Sequence, residues 1–142
     1  MNYNETHKFV AIVNEKVEVG KIMNAVSHAS LGLVNKVSEG EREKISFISY
    51  TDKDGVAHDN ISALSLIVLK GRNGEIKKCR KAFVEEGIPF VDFLETMTGD
   101  TYKEQLDKTA EIATDEHNYF ALVAFGEIEK INPITRKLSL YK

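Results

Sequence analysis

The sequence predicts an α/β protein with three layers, α/β/α, built around a small mixed sheet. Two apolar runs, Phe9-Val10-Ala11-Ile12-Val13 and Tyr119-Phe120-Ala121-Leu122-Val123-Ala124-Phe125, have the continuity of strands covered on both faces. Stretches of helical period alternate with such runs in the order β-α-β-β-α-β-α-β, which places helices on both sides of one sheet. No repeat, low-complexity tract or linker interrupts the 142 residues, so a single domain spanning 1–142 is expected, large enough for a real core.

The elements follow from local signals. Residues 8–14 read as the first strand and 19–37 as an amphipathic helix that closes before Ser38-Glu39-Gly40-Glu41. In that helix Ile22, Ala25, Val26, Ala29 and Leu33 fall on one face at 100° per residue. Ile45-Ser46-Phe47-Ile48-Ser49-Tyr50 is a second strand, ended by Asp52-Lys53-Asp54-Gly55. Ser65-Leu66-Ile67-Val68-Leu69 is a third, continuous enough to be covered on both faces. Arg72-Asn73-Gly74 breaks it, and a helix follows from Glu75 to Glu86 with Ile76, Cys79 and Phe83 inward. Gly87 suits the position just past its end, with Pro89 beyond.

Pro89-Phe90-Val91-Asp92-Phe93-Leu94 reads as a strand at an edge. Thr101 and Glu104 have capping-box spacing and open a weakly amphipathic helix over Leu106, Ala110 and Ala113. After the strand at 119–125, Asn132-Pro133 suits the start of a short helical turn, and Leu138-Ser139-Leu140-Tyr141 closes the chain.

Composition narrows the function classes. A hydrophobic fraction of 42% with 29% charged residues is that of an ordinary water-soluble domain. The net charge of −3 argues against binding DNA through global charge. Lys70, Arg72, Lys77, Lys78, Arg80 and Lys81 form the densest basic run, but no aromatic residue interleaves with it and Glu75, Glu85 and Glu86 dilute it; it reads as a solvated helix face. Cys79 is the single cysteine, so neither an intramolecular disulfide nor a cysteine-based metal cluster is available. His7, His58 and His117 are scattered, with no metal-ligand spacing. A phosphate loop, dinucleotide fingerprint and nucleophile elbow are all lacking, so no cofactor is expected. Met1-Asn2-Tyr3-Asn4-Glu5 has no basic or apolar leader character, and no apolar run reaches membrane-spanning length. A cytoplasmic protein without membrane association is the expectation.

The candidate chemistry lies on the first helix. Lys21, Asn24 and His28 share a face at i, i+3 and i+7, opposite the apolar stripe. An ammonium, an amide and an imidazole so arranged suit the wall of a cleft. Lys21 near a helix start is not placed to favour the helix dipole; it either holds an anion or oxyanion or is an exposed lysine. His28 reads as a general base or ligand contact, or as a histidine bonded to backbone. Asn24 lines the same cleft or faces solvent.

Several blocks together resemble the type 2 peptidyl-tRNA hydrolase superfamily, most closely an uncharacterised bacterial branch of it. Gly20-Lys21-Ile22 with Ser27-His28-Ala29 is similar to that family's glycine-lysine helix start and serine-histidine-alanine segment. Gly99-Asp100-Thr101 is similar to the end of its aspartate-alanine-glycine-x-threonine loop. Ala124-Phe125-Gly126 and Ile134-Thr135-Arg136-Lys137-Leu138-Ser139-Leu140-Tyr141 resemble its closing strand, turn and tail. The resemblance runs from Phe9 to Tyr141. It implies a compact α/β/α fold, often dimeric, and hydrolysis of the ester joining a peptide to the tRNA 3′ end.

The sequence departs from that pattern at telling places. The family's glutamine after the glycine-lysine pair falls at Ala25, its loop aspartate falls at Met97, and a helix-like segment at 102–117 is inserted before the last long strand. Asp100 is the first carboxylate after Met97, with Asp92 and Glu95 flanking the same loop. Thr98 and Thr101 offer hydroxyls, Thr101 also serving as a cap.

Two functions remain open on this basis. One is a hydrolase of an ester or amide, with a small-molecule or tRNA-linked substrate, in which Lys21, His28, Asp100 and Thr101 do the chemistry and Gly20, Asn24, Thr98 and Gly99 hold the substrate. The other is a non-enzymatic module for a small ligand or protein that kept the scaffold and lost the catalytic aspartate.

Overall fold

The computed structural model describes residues 6–142; the segment 1–5, considered above as a leader, lies outside them. In chain order the elements are β1 (His7–Asn14), α1 (Val19–Lys36), α2 (Glu39–Arg42), β2 (Phe47–Thr51), β3 (Ala57–Ser62), β4 (Leu66–Gly71), α3 (Asn73–Glu86), β5 (Phe90–Leu94), α4 (Tyr102–Ala110), β6 (Tyr119–Glu127), α5 (Ile128–Thr135) and β7 (Ser139–Leu140). Turns of 3-10 helix occupy Glu95–Met97 and Thr114–Glu116.

Five strands form a mixed sheet in the order β5-β6-β1-β4-β7. β1 pairs parallel with β4 and antiparallel with β6, while β5 and β7 add antiparallel edges. Because the side-chain period of a strand is two, the apolar run of β1 divides cleanly. Phe9, Ala11 and Val13 pack with Ile22, Ala25, Ala29 and Leu33 of α1. Val10 and Ile12 pack on the other side with Ile76, Cys79 and Phe83 of α3 and Ile131 of α5. β6 divides the same way, with Ala121, Val123 and Phe125 toward α1 and Leu122 and Ala124 toward α3. The mixed α/β fold thus has helices on both faces of its sheet.

This topology fixes where a site can lie. β1, β4 and β5 all run in the same direction, since β6 is antiparallel to both of its neighbours. Their C-terminal ends meet the N-termini of α1 and α3 at one end of the sheet, the usual place for a ligand crevice in α/β proteins.

Several sequence expectations need revision. The strand expected at 45–50 forms at 47–51, but it pairs with β3 in a separate two-stranded hairpin. β3, Ala57–Ser62, was not foreseen because Ala-His-Asp-Asn has no apolar alternation. β4 is not covered on both faces throughout: Leu66 and Ile67 are exposed, and β7 pairs with its edge only at Leu69 and Lys70. α2 carries its own signal, a capping box between Ser38 and Glu41, read earlier only as the end of α1. In α4 the expected apolar stripe is not the buried one; Leu106 is exposed and Gln105 is buried. Thr101 does cap that helix, accepting from the Glu104 amide at 3.3 Å, but residues 111–117 lie outside it. α5 begins at Ile128, ahead of Asn132-Pro133, so Pro133 stands inside the helix. α3 ends as expected on Gly87, whose φ of +66° gives the left-handed turn that returns the Ile88 amide to the Phe83 carbonyl.

The basic run is tied into the fold. Arg80 pairs with Asp92 at 2.9 Å and lies over the Phe90 and Tyr119 rings, and Lys77 donates to the Asp115 carbonyl.

Cys79, buried against α5, has its thiol pKa pushed up to about 11, first by burial and then by the Glu75 carboxylate. Only the thiolate reacts readily, so native protein at pH 8 is expected to leave Cys79 unmodified by a disulfide reagent until it unfolds. The sign of the pH dependence follows. Below pH 9 the thiol is protonated in both states; as pH rises toward 11 the unfolded chain ionises first, so stability falls across that interval. Denaturation midpoints measured from pH 8 to 11 on wild type and Cys79→Ala check this, with the steeper loss expected in the wild type.

Candidate functional site

At the C-terminal end of the parallel strands a cleft of about 900 Å³ opens between α1 and the loop that joins β5 to α4. Its walls bring together all eight candidate residues of the sequence analysis: Gly20, Lys21, Asn24 and His28 from α1, and Thr98, Gly99, Asp100 and Thr101 from the loop. The i, i+3, i+7 stripe faces this cleft because its opposite side, Ile22, Ala25 and Ala29, is held against the sheet.

The first turn of α1 is electrostatically open. Its N-cap is Glu18, whose side chain makes no capping bond, and no acidic residue lies in the first turn. The amide hydrogens there have no intrahelical acceptor, and the positive end of the helix dipole faces the cleft mouth. Lys21 adds a full charge at the same place. Among the described residues no carboxylate lies within 4.0 Å of its ammonium. A Cβ built at Gly20 would meet nothing within 4 Å, so the approach to this turn is unobstructed.

The facing loop is shaped by two consecutive left-handed residues, Gly99 at φ +66° and Asp100 at φ +54°. Glycine adopts this freely and aspartate is among the few others that tolerate it. The loop is then pinned from α4. The Gln105 side-chain amide donates to the Gly99 carbonyl, and the Lys108 ammonium pairs with the Asp100 carboxylate. That bond and the Lys108 charge hold the Asp100 carboxyl below the usual carboxylate range. The hydroxyl of Thr98 donates to the Glu95 carbonyl at 2.6 Å. Asp100 is therefore an ionised carboxylate already paired with a cation, and Thr101 is a helix cap.

Three further lining residues escaped the sequence reading. Phe93, at the end of β5, lies with its ring centroid 6.0 Å from that of His28 and forms an apolar wall with Met97. Tyr102 stands exposed at the rim. Gln105 is buried, and its Oε1 has no hydrogen-bond partner. A buried acceptor without a donor costs about 1–3 kcal/mol; shut off from the cleft in this conformation, it is a candidate for a ligand's N–H or O–H once the side chain turns toward the cleft. It was missed because Leu106 looked like the inward residue of α4.

A smaller cavity of about 300 Å³ shares Lys21 and reaches Asn14, Asn73, Glu95 and Asn118. Here a chain of amides fixes a carboxylate. Asn14 ends the apolar run of β1, buried, and its side-chain amide donates to the side-chain Oδ1 of Asn118 at 3.2 Å and to the backbone carbonyl of Tyr119 at 3.0 Å. Asn118 in turn donates to Glu95 Oε2 at 2.8 Å. Asn73 ties the start of α3 to the Tyr119 amide at 2.8 Å. Glu95, considered above only as flanking the loop, lines this cavity with Lys21, as does Glu18, but of the two it is Glu95 that the amide chain holds. The visible signal was a polar asparagine closing one apolar run and another preceding the next.

The fold is that of a mixed α/β protein with its crevice at the C-terminal ends of the parallel strands. The chain belongs to the family described as "Protein of unknown function (DUF2000)", which it matches over residues 7–142. Among solved structures it is similar to a protein of unknown function from Agrobacterium tumefaciens strain C58, with a TM-score of 0.78 and 18% sequence identity, covering 96% of this chain and 98% of that one. At that identity the likeness concerns the fold. No curated protein matches the sequence. Among the described residues no helix is long and apolar enough to cross a membrane, and no group of three His, Cys, Asp or Glu side chains is placed to hold a metal ion.

Replacing Asn14 by leucine removes the donor to the buried Tyr119 carbonyl and frees Asn118. A loss of about 1–3 kcal/mol in urea denaturation is expected. A change below about 0.5 kcal/mol would show that the amide chain is not under structural tension to stay paired.

Proposed function

We propose that the cleft binds a small conjugate that carries an anionic group, a hydrogen-bond donor and an apolar part. The observation that carries this reading is Lys21, which has no acidic partner among the described residues and stands at the uncapped first turn of α1 in the largest cleft. An anion there gains the ammonium, the free amides and the helix dipole together. The Gln105 Oε1 lacks a donor, and Phe93 with Met97 supplies an apolar wall. A cleft of this size suits a ligand of several hundred daltons. The acylated 3′ end of a nucleic acid, suggested by the resemblance to type 2 peptidyl-tRNA hydrolases, has all three features.

A second reading, hydrolysis of such an ester, is favoured by Glu95. Its carboxylate is oriented by Asn118 and lines the cavity that shares Lys21. In that reading Glu95 positions a water, and Lys21 stabilises the oxyanion. His28 serves as a wall beside the Phe93 ring, and Asp100 and Thr101 shape the loop.

A non-hydrolysable probe, adenosine 5′-monophosphate carrying an amide-linked N-acetylaminoacyl group at the 3′ position, separates binding from turnover. Calorimetry is expected to give one saturable site, weakened about tenfold or more in Lys21→Met, the scale of a lost charged hydrogen bond. No saturable binding, or equal binding to Lys21→Met, would contradict the reading. The corresponding ester, and peptidyl-tRNA itself, test the second. Hydrolysis by wild type that falls at least a hundredfold in both Lys21→Ala and Glu95→Gln supports it, and binding without turnover removes it.

A further inference from the structure

At the other end of the sheet β1 places an ammonium where the fold otherwise puts aliphatic side chains. Lys8 shares a face with Val10 and Ile12 and is only 7% exposed. Gly126, opposite it in the register, presents no side chain. An ammonium carries three donors, and among the described residues this one has a single acceptor, Oδ1 of Asn132 on α5. Among the described residues no carboxylate lies within 4.0 Å of it. Burial lowers its pKa from the ordinary lysine value.

Such a lysine is not explained by stability. Charges taken from water are costly unless paired, and an apolar side chain of similar size is commonly neutral or better in their place. Lys8 also does not face a closed core. Beside it lies a cavity of about 520 Å³, walled by Ile67, Leu69, Pro133 and Leu138, with Arg136 and Glu129 among its lining residues. The register places Ile67 and Leu69 on the same sheet face as Lys8, beside Val10 and Ile12. Ile67 remains 37% exposed on that face. Arg136 has no ion-pair partner among the described residues.

We propose that this cavity is a second binding site, distinct from the cleft at Lys21, which takes a monocarboxylic acid with an apolar body. The carboxylate occupies the open donors of Lys8, with Arg136 as a second cation, and the hydrocarbon lies against Ile67, Leu69 and Leu138. Two cations opposed by Glu129 leave about one positive charge, which suits a monoanion better than a phosphate dianion. The apolar walls favour a ligand that is not hydrated along its length.

Octanoate is the probe, with acetate and 1-octanol as its separated halves. Calorimetry is expected to show one saturable octanoate site, with acetate and octanol each bound at least tenfold more weakly. Lys8→Met is expected to lose octanoate binding by tenfold or more while melting no lower than wild type. Ile67→Glu, at an exposed wall, is expected to block the site without touching Lys8, and it keeps the test decisive should Lys8→Met fail to fold. Binding is expected to survive in Lys21→Met. No saturable octanoate binding, retention of full affinity in Lys8→Met or Ile67→Glu, octanol bound as tightly as octanoate, or loss in Lys21→Met would each overturn the proposal.

Discussion

The burial of β1 between two helical layers is the constraint on which the rest of the structure depends. Like its neighbour β6 it has paired strands on both edges and helices on both faces, and it joins β4 in parallel to β6 in antiparallel pairing. Alternation along it sends Phe9, Ala11 and Val13 to α1 and Val10 and Ile12 to α3 and α5, so each helix has a fixed face to cover. Once the apolar side of α1 is committed, Lys21, Asn24 and His28 have nowhere to point but the cleft. Two buried polar residues, Lys8 and Asn14, stand near the two ends of β1. Asn14 organises the amides around Glu95, and Lys8 sits under α5.

Binding and catalysis ask different things of this arrangement. Binding an anion needs positive potential and room, and the first turn of α1 with Lys21 supplies both. Ester hydrolysis also needs a group that orients water within reach of the oxyanion stabiliser. Asp100, on the loop facing α1, is already neutralised by Lys108. Glu95 is the better-held alternative, because an amide chain fixes its orientation without consuming its charge. The loop between β5 and α4 is therefore a wall pinned by α4 through Gln105 and Lys108.

Much of this architecture was legible because strong signals coincided. The runs at 9–13 and 119–125 could only be buried strands, and the stripe on α1 was visible from spacing alone. Gly87 and Pro89 marked the end of α3 for reasons of backbone conformation. Other elements were hidden for physical reasons too. The β2–β3 hairpin is exposed on almost every residue, so β3 carries no hydrophobic pattern to read. α4 buries a glutamine through hydrogen bonding rather than a leucine through apolar contact. The eight candidate residues meet in one cleft, but their number concealed a division of labour. Asp100 and Thr101 spend their polar atoms on the loop and helix, whereas Glu95, Asn14 and Asn118 come together only through strand register, which spacing along the chain does not reveal.

The central claim is that the first turn of α1 is an anion site facing Gln105. Amide chemical-shift mapping with the amide-linked acyl-nucleotide probe tests it most directly. The account expects the largest shifts at the backbone amides of residues 19–21 and at the side-chain amide of Gln105, saturating together. Shifts confined to the basic face of α3 at 77–81, or shifts that do not saturate, would contradict it.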